Sequence, residues 1–212
     1  KDNNLQYLIN YHDNHIIISF IRIYESFMDE IEQARQDHHE DGNENKYWDL
    51  AERLFIFSLM WAIAGSLDEP SRLIVDSIIR KYAPNFPPHS TIFEYMVNPE
   101  KEEWGTWEEK MIQYWPSSST PFNEIFVPTM DITRNKTIVQ NLIKNDHNPL
   151  IIGGVCTGKT SLTKIIFKNL DSSKYQNISV NLSYGIKSHN LQEEIEYYFE
   201  KRNNKLFPPS NK

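Results

Sequence analysis

The spacing of apolar residues along this chain changes character twice. Between residues 14 and 36, Ile17, Phe20, Ile21, Tyr24, Phe27, Met28 and Ile31 recur at three- and four-residue steps, which predicts one amphipathic helix. Asp37 to Asn45 is polar and broken by Gly42, and reads as a loop. A second helix is predicted from about Lys46 to Ala64 through Leu50, Leu54, Phe57, Leu59, Trp61 and Ala62, with Gly65 as its C-terminal cap. Asp68 is placed to cap a third, which accepts Pro70 in its first turn and runs through Leu73, Ile74, Ile78 and Ile79 to Tyr82. From Ala83 to Pro121 the period fades. Pro84, Pro87, Pro88, Pro99, Pro116 and Pro121 interrupt the chain, and Ser117-Ser118-Ser119 resembles a linker. Phe93, Tyr95, Trp104, Trp107, Tyr114 and Trp115 fall in the same stretch. That aromatic load predicts an ordered connection packed on its neighbours, with a short hairpin or one short helix.

After Pro128 the rhythm changes again. Residues 131–145 are helical in pattern, with Ile132, Ile138, Val139, Leu142 and Ile143 on one side. Pro149-Leu150-Ile151-Ile152 is a short apolar run ending in glycines, the pattern of a buried parallel strand. Residues 159–170 predict a helix, 177–183 an alternating strand, and 189–203 a further helix. Helix, strand, helix, strand, helix favours a parallel sheet covered by helices. The predicted fold class is thus α/β behind an all-α first half. There is no internal repeat.

Composition narrows the function classes. The 212 residues are 39% hydrophobic and 24% charged, with a net charge of −7. A duplex-binding surface needs clustered Lys and Arg, and no such cluster occurs, so nucleic acid is not an expected partner. The longest apolar run, Leu54 to Gly65, is interrupted by Ser58 and is too short to span a bilayer; no membrane association is expected. Residues 1–15 carry no basic region followed by an apolar block, as a secretory signal would. The single cysteine excludes an internal disulfide and fits a reducing compartment. The first residue is Lys, and residues 205–212 resemble a loop leading onward; both suggest a piece of a longer protein.

The sharpest chemical signal is Gly153-Gly154-Val155-Cys156-Thr157-Gly158-Lys159-Thr160, which fits G-x-x-x-x-G-K-[ST]. The bare pattern arises by chance in roughly one chain of this length in a hundred, given glycine near ~7% of residues. A predicted strand before it and a helix after it give each residue a role. Curled loop amides make an anion nest. Gly158 lets the backbone approach an oxygen. The helix N-terminus adds free donors and partial positive charge. Lys159 brings a full charge to the β- and γ-phosphates, and the Thr160 hydroxyl is the expected Mg²⁺ ligand. Ser161 completes the set in the first turn. The bland alternative is a glycine-rich turn that starts a helix and binds nothing. Cys156 reads most simply as a small loop-filling residue; a thiol near Lys159 and a helix start is otherwise a candidate reactive group, shielded by bound nucleotide.

At this point the sequence resembles the dynein heavy chains, microtubule motors built on a ring of six AAA+ modules. Three stretches carry the likeness. Residues 54–68, Leu-Phe-Ile-Phe-Ser-Leu-Met-Trp-Ala-Ile-Ala-Gly-Ser-Leu-Asp, are similar to the helix near the end of the ring's second module. Phe126-Val127-Pro128-Thr129-Met130-Asp131-Ile132-Thr133-Arg134 is similar to the segment that opens the third module beside the adenine. The phosphate loop with its helix and Leu170-Asp171-Ser172-Ser173-Lys174-Tyr175 is the third, and looks more axonemal than cytoplasmic.

The resemblance implies a helical AAA+ small subdomain over 1–115, an inter-module connection and adenine-side loop over 116–130, and the start of a P-loop large subdomain with a parallel sheet over 131–212. It implies ATP or ADP with Mg²⁺, backbone contacts from Pro128 and Thr129 to the base, and an AAA+ ATPase in the full motor. Its implied partners are the other AAA+ modules of the same heavy chain, the microtubule, and the intermediate and light chains. Its implied location is cytoplasmic and cytoskeletal, in the axoneme of a cilium or flagellum. Two departures stand out. The family usually has proline after the first glycine and glycine two residues further on, where this chain has Gly154 and Cys156. No apolar run ending in paired acids follows Lys159, so this segment alone is expected to bind nucleotide poorly and to hydrolyse it hardly at all.

Other groupings read as structure. His38-His39-Glu40-Asp41 is a solvated acidic loop rather than a metal site, because consecutive residues seldom converge on one ion. Trp61, Trp104, Trp107 and Trp115 are core candidates rather than a base-stacking platform. Glu100, Glu102, Glu103, Glu108 and Glu109 form an exposed charged face. Arg72 is expected in a surface salt bridge and Arg134 in a structural role, rather than at a nucleotide. Two other functions compete: a self-contained P-loop kinase or small NTPase, and a non-catalytic helical interaction module.

Overall fold

The computed structural model describes residues 5–10, 12–40, 44–83, 85–111, 114, 115, 119, 121, 125–200, 208 and 209. Pro84, Pro116, Ser117, Ser118, Asp41 and residues 201–207 and 210–212 lie outside them. The chain gathers into two compact units, Lys1–Leu162 and Thr163–Lys212.

The first unit is built on helices. The periodic stretch 14–36 forms two of them, α1 (Asp13–Glu25) and α2 (Met28–Glu40), rather than the single helix predicted. The break is chemical. The buried Ser26 hydroxyl turns back to the Ile23 carbonyl (2.7 Å), and the Phe27 amide reaches Tyr24 rather than Ile23 (3.0 Å). Serine competing for backbone acceptors bends a helix without disturbing its apolar stripe, so periodicity alone did not reveal the break. α2 also extends into the stretch predicted as loop, as far as Glu40.

α3 (Glu44–Ala64) is the centre of the unit. Leu50, Leu54, Phe57 and Trp61 are buried in its contact with α1 and α2. It stops at Gly65, where a Cβ would sit 2.6 Å from the Trp61 carbonyl oxygen; any other residue would have to shift the backbone. α4 (Glu69–Tyr82) begins as predicted, with the Asp68 carboxylate accepting the Ser71 amide (3.1 Å) and Pro70 in the first turn.

The aromatic connection is ordered where the structure describes it. Strands β1 (Tyr95–Asn98) and β2 (Glu103–Thr106) pair antiparallel, Tyr95 opposite Thr106 and Asn98 opposite Glu103. Two 3₁₀ turns flank them, Ile92–Glu94 and Trp107–Lys110. Trp107, Phe93 and Tyr95 are buried, and Trp61 meets Trp107 edge-on (centroids 6.5 Å apart, planes at 83°), a preferred aromatic arrangement. Trp115 is the exception to the core expectation, at 84% exposed.

α5 (Met130–Lys144) matches its predicted span. Among the described residues there is no parallel sheet of the kind predicted. Neither 149–152 nor 177–183 is a strand, and the hairpin is the one ladder among the described residues apart from two isolated bridges. The physical reason is the absence of neighbours. A parallel strand gains nothing until others pair with both its edges and cover its faces. Leu150 (83% exposed), Ile152 (53%) and Leu182 (70%) remain on the surface. The described fold is therefore mainly helical, with one antiparallel hairpin.

The helix α6 (Lys159–Lys168) crosses the division between the units. The second unit continues with the Asp171–Lys174 turn and α7 (Ser188–Glu196). α6 and α7 end earlier than the predicted 170 and 203. In the turn, the Asp171 carboxylate accepts both the hydroxyl (2.7 Å) and the amide (2.9 Å) of Ser173. These bonds hold its carboxyl below the ordinary range. No helix among the described residues is long and apolar enough to cross a membrane.

Candidate phosphate-binding site

The chain approaches the glycine-rich loop from a fixed helix. The Asn141 amide donates to the carbonyl (3.1 Å) and hydroxyl (2.8 Å) of Ser26, and Asn145 donates to the same carbonyl (3.2 Å). α5 is thereby fastened to the α1–α2 break. Arg134, from its first turns, donates to the Phe93 carbonyl (3.0 Å) and to the Glu94 carboxylate (3.2 Å). The helix closes with Asp146 in the left-handed region (φ 58°). The His147 amide reaches Leu142 (2.9 Å) and the Asp146 amide reaches Ile143 (3.1 Å). This six-to-one, five-to-two pattern satisfies the last carbonyls and sends the chain toward Pro149.

The loop itself alternates in hand. Cys156 (φ 61°) and Gly158 (φ 80°) are left-handed, while Val155 and Thr157 are not. Such alternation curls successive amides toward one side and makes an anion nest. Gly158 tolerates its angle without strain, and its carbonyl accepts the Leu162 amide (2.8 Å), which makes it the N-cap of α6. The amides of Lys159, Thr160 and Ser161 therefore precede the first intrahelical bond and project from the helix end. The Lys159 ammonium folds back over the loop and donates to the carbonyls of Gly153 (2.9 Å) and Gly154, and to the Thr157 hydroxyl (3.3 Å). Every loop residue from Gly153 to Gly158 is exposed, as are Thr160 and Ser161, and Val155 is 92% exposed. Curled amides, a helix start and one tethered ammonium fit a phosphate group.

Gly153 and Gly154 also border a cleft of about 700 Å³ in the first unit. Arg22, Trp61, Ser66, Val139, Leu142, Leu150 and Ile152 line it among others. Its lining does not include Lys159, Thr160, Pro128 or Thr129. Thr129 is the N-cap of α5: its hydroxyl accepts the Ile132 amide (3.4 Å), and its carbonyl accepts the Thr133 amide (2.9 Å) and hydroxyl (3.0 Å).

The remaining sequence candidates resolve into structure. His38 lies on α2, not in a loop. Its ring Nε2 meets the Glu102 carboxylate at 2.5 Å and joins the end of α2 to the hairpin turn. The described residues hold no cluster of metal-ligating side chains. Arg72 donates to the Ala64 carbonyl (3.2 Å) and lies over the Phe93 ring, and burial, then Arg134, lowers its pKa. Cys156 is an exposed free thiol. Sequence reading missed Asn141, Asn145 and Asp146. Only the last had a local signal, an Asn-Asp pair at a helix end.

Two family models match the chain. "Dynein heavy chain AAA lid domain" covers residues 1–109, and "P-loop containing dynein motor region" covers 114–212. Among curated proteins, the chain is 37% identical over 161 residues to "Dynein axonemal heavy chain 2" of Mus musculus, and 35% identical over 164 residues to its Homo sapiens counterpart. It is 35% identical over 162 residues to "Dynein-1-beta heavy chain, flagellar inner arm I1 complex" of Chlamydomonas reinhardtii. These alignments cover 76%, 77% and 76% of the chain and 4% of each relative. A lid-domain match over the helical first half, followed by a P-loop motor match over the glycine-rich loop, has one meaning: the chain belongs to the dynein heavy chain family.

Proposed function

We propose that this chain is a segment of a dynein motor ring that binds ATP or ADP with Mg²⁺ on Gly153–Ser161. The observation that carries this reading is the alternating-hand loop at the start of α6, with the Lys159 ammonium already drawn to its mouth. The loop amides and the free amides of the first helical turn bind phosphate oxygens. Lys159 brings its charge to the β- and γ-phosphates from its place over the loop carbonyls, and the exposed Thr160 hydroxyl would take one position on Mg²⁺. The metal, when bound, neutralises phosphate charge. Pro128 and Thr129 serve the base; because the Thr129 carbonyl is committed to α5, its contact uses the amide.

In this reading residues 1–115 are the lid of one module, 116–130 the joint, and 131–212 the start of the next. Residues 149–152 and 177–183 become strands of a parallel sheet when neighbouring strands of the heavy chain flank them, and the surface positions of Leu150, Ile152 and Leu182 support this. Hydrolysis belongs to the complete ring, whose other modules are the immediate partners. The microtubule and the intermediate and light chains are partners of the whole motor. The relatives' axonemal and flagellar names favour a ciliary or flagellar axoneme, hence the cytoskeleton.

Thermal melting tests the site. ATP·Mg²⁺ at a hundredfold excess over its dissociation constant stabilises the folded chain by about 2.7 kcal/mol. Lys159→Ala removes that stabilisation while leaving the melt without nucleotide unchanged. An equal shift in parent and variant, or no shift in either, sinks the assignment.

A further inference from the structure

We infer that Thr157 is a positioning residue that holds the phosphate loop and Lys159 in register, through its hydroxyl rather than through bulk. The inference rests on reading the loop as a phosphate site. The Thr157 side chain lies back across the turn. Its hydroxyl donates to the Gly154 carbonyl (2.9 Å) and accepts from the Lys159 ammonium (3.3 Å). Donating in one direction fixes the hydroxyl proton, so an oxygen lone pair is left for the ammonium. The result is a short relay, Lys159 to Thr157 to Gly154.

The same side chain occupies the open faces of both loop glycines. A Cβ at Gly153 would sit 3.2 Å from the Thr157 hydroxyl oxygen, and one at Gly154 would sit 3.6 Å from its methyl group. Two adjacent glycines leave the first half of the loop with the freest backbone the chain can have. The Thr157 bond pins the second of them, and with it one of the carbonyls that holds Lys159. When a phosphate arrives, the Lys159 bond to the hydroxyl, longer than the one to the Gly153 carbonyl, is the natural one to yield. The two carbonyl bonds keep the ammonium at the loop. Without the hydroxyl, binding has to order Gly154, whose carbonyl holds the lysine, and affinity falls.

Thr157→Val keeps the shape and removes the hydroxyl; Thr157→Ser keeps the hydroxyl and removes the methyl group. Calorimetric titration of the 212-residue chain with ADP·Mg²⁺, alongside amide hydrogen exchange of residues 154–158 without nucleotide, separates the roles. Thr157→Val weakens ADP binding about fivefold, the scale of one hydrogen bond, and speeds exchange of the loop amides. Thr157→Ser stays within about twofold of the parent in both. Lys159→Ala abolishes binding. If Thr157→Val binds as tightly as the parent while Lys159→Ala does not bind, the positioning role is wrong and the phosphate site stands. Equal weakening by Val and Ser assigns the effect to packing and also overturns the role. Binding that survives Lys159→Ala overturns the site, and the inference with it. Loop exchange unchanged in Thr157→Val overturns the role without reference to nucleotide.

Discussion

Cys156 is held where an L-residue is uncomfortable. Its φ of 61° brings Cβ toward a neighbouring carbonyl oxygen, a conflict worth roughly 1–2 kcal/mol that glycine does not have. Sequence comparison with the family already marked the position as one that usually carries glycine, and the structure supplies the reason. Replacement by glycine also frees the unfolded chain, which offsets roughly 0.5–1 kcal/mol of the gain. Cys156→Gly therefore stabilises the chain by up to about 1 kcal/mol, and Cys156→Val, with a β-branch at the same angle, destabilises it by more than that. Urea denaturation of the three chains gives the order Gly, Cys, Val. A valine variant as stable as the parent means that the loop carries no strain. The thiol is exposed, so alkylation is a convenient reporter of loop access.

At the scale of elements, the same backbone conflict recurs where α5 ends. Asp146 takes the left-handed position (φ 58°) that most often belongs to glycine, and two amides close on Leu142 and Ile143 around it. Asp146→Gly stabilises α5 by about 0.5–1 kcal/mol, because aspartate tolerates this region only partly. Asp146→Val costs at least as much in the opposite direction. Thermal melts with an α5 hydrogen-exchange readout check both signs, and a glycine variant that melts lower than the parent refutes the cap. Elements with strong local signals were legible in sequence. α4 was announced by Asp68 and Pro70, and the end of α3 by Gly65. The Gly153–Thr160 loop was announced by its spacing. Features set by partners were not legible. The break at Ser26 depends on one hydroxyl and on Asn141 and Asn145, more than a hundred residues away in the chain. The strands predicted at 149–152 and 177–183 had the right apolar pattern, but pattern specifies a face and supplies no neighbour to pair with. Pro128 and Thr129 were singled out by likeness alone, and only the cap role of Thr129 follows from its geometry.

The whole molecule is unevenly consolidated. Residues up to Leu162 hold two clusters of buried side chains, one around Leu50, Leu54, Phe57 and Trp107, the other around Met60, Leu67, Val75 and Ile92. Beyond Leu162, Ile166 is the one buried hydrophobic residue among those described. Burial is the main favourable term in folding, and a region with little of it opens at low free-energy cost. The glycine-rich loop ends at the edge of the consolidated part, and α6 carries on into the weaker one. Limited trypsin digestion therefore cuts first at exposed lysines past the loop, Lys174 and Lys187, well before Arg53 or Lys81 in the helical half. The first stable product retains residues 1 to about 174, and its melting stays close to that of the intact chain because the cores are intact. Simultaneous cutting at Arg53 and Lys174 would mean that the chain opens as one body. If ATP·Mg²⁺ slows cleavage at Lys164 and Lys168 in the parent but not in Lys159→Ala, ligand binding at the loop is what consolidates α6. The weaker part then gains order from phosphate contacts rather than from apolar burial, which places the start of α6 where a nucleotide-driven change in order can begin.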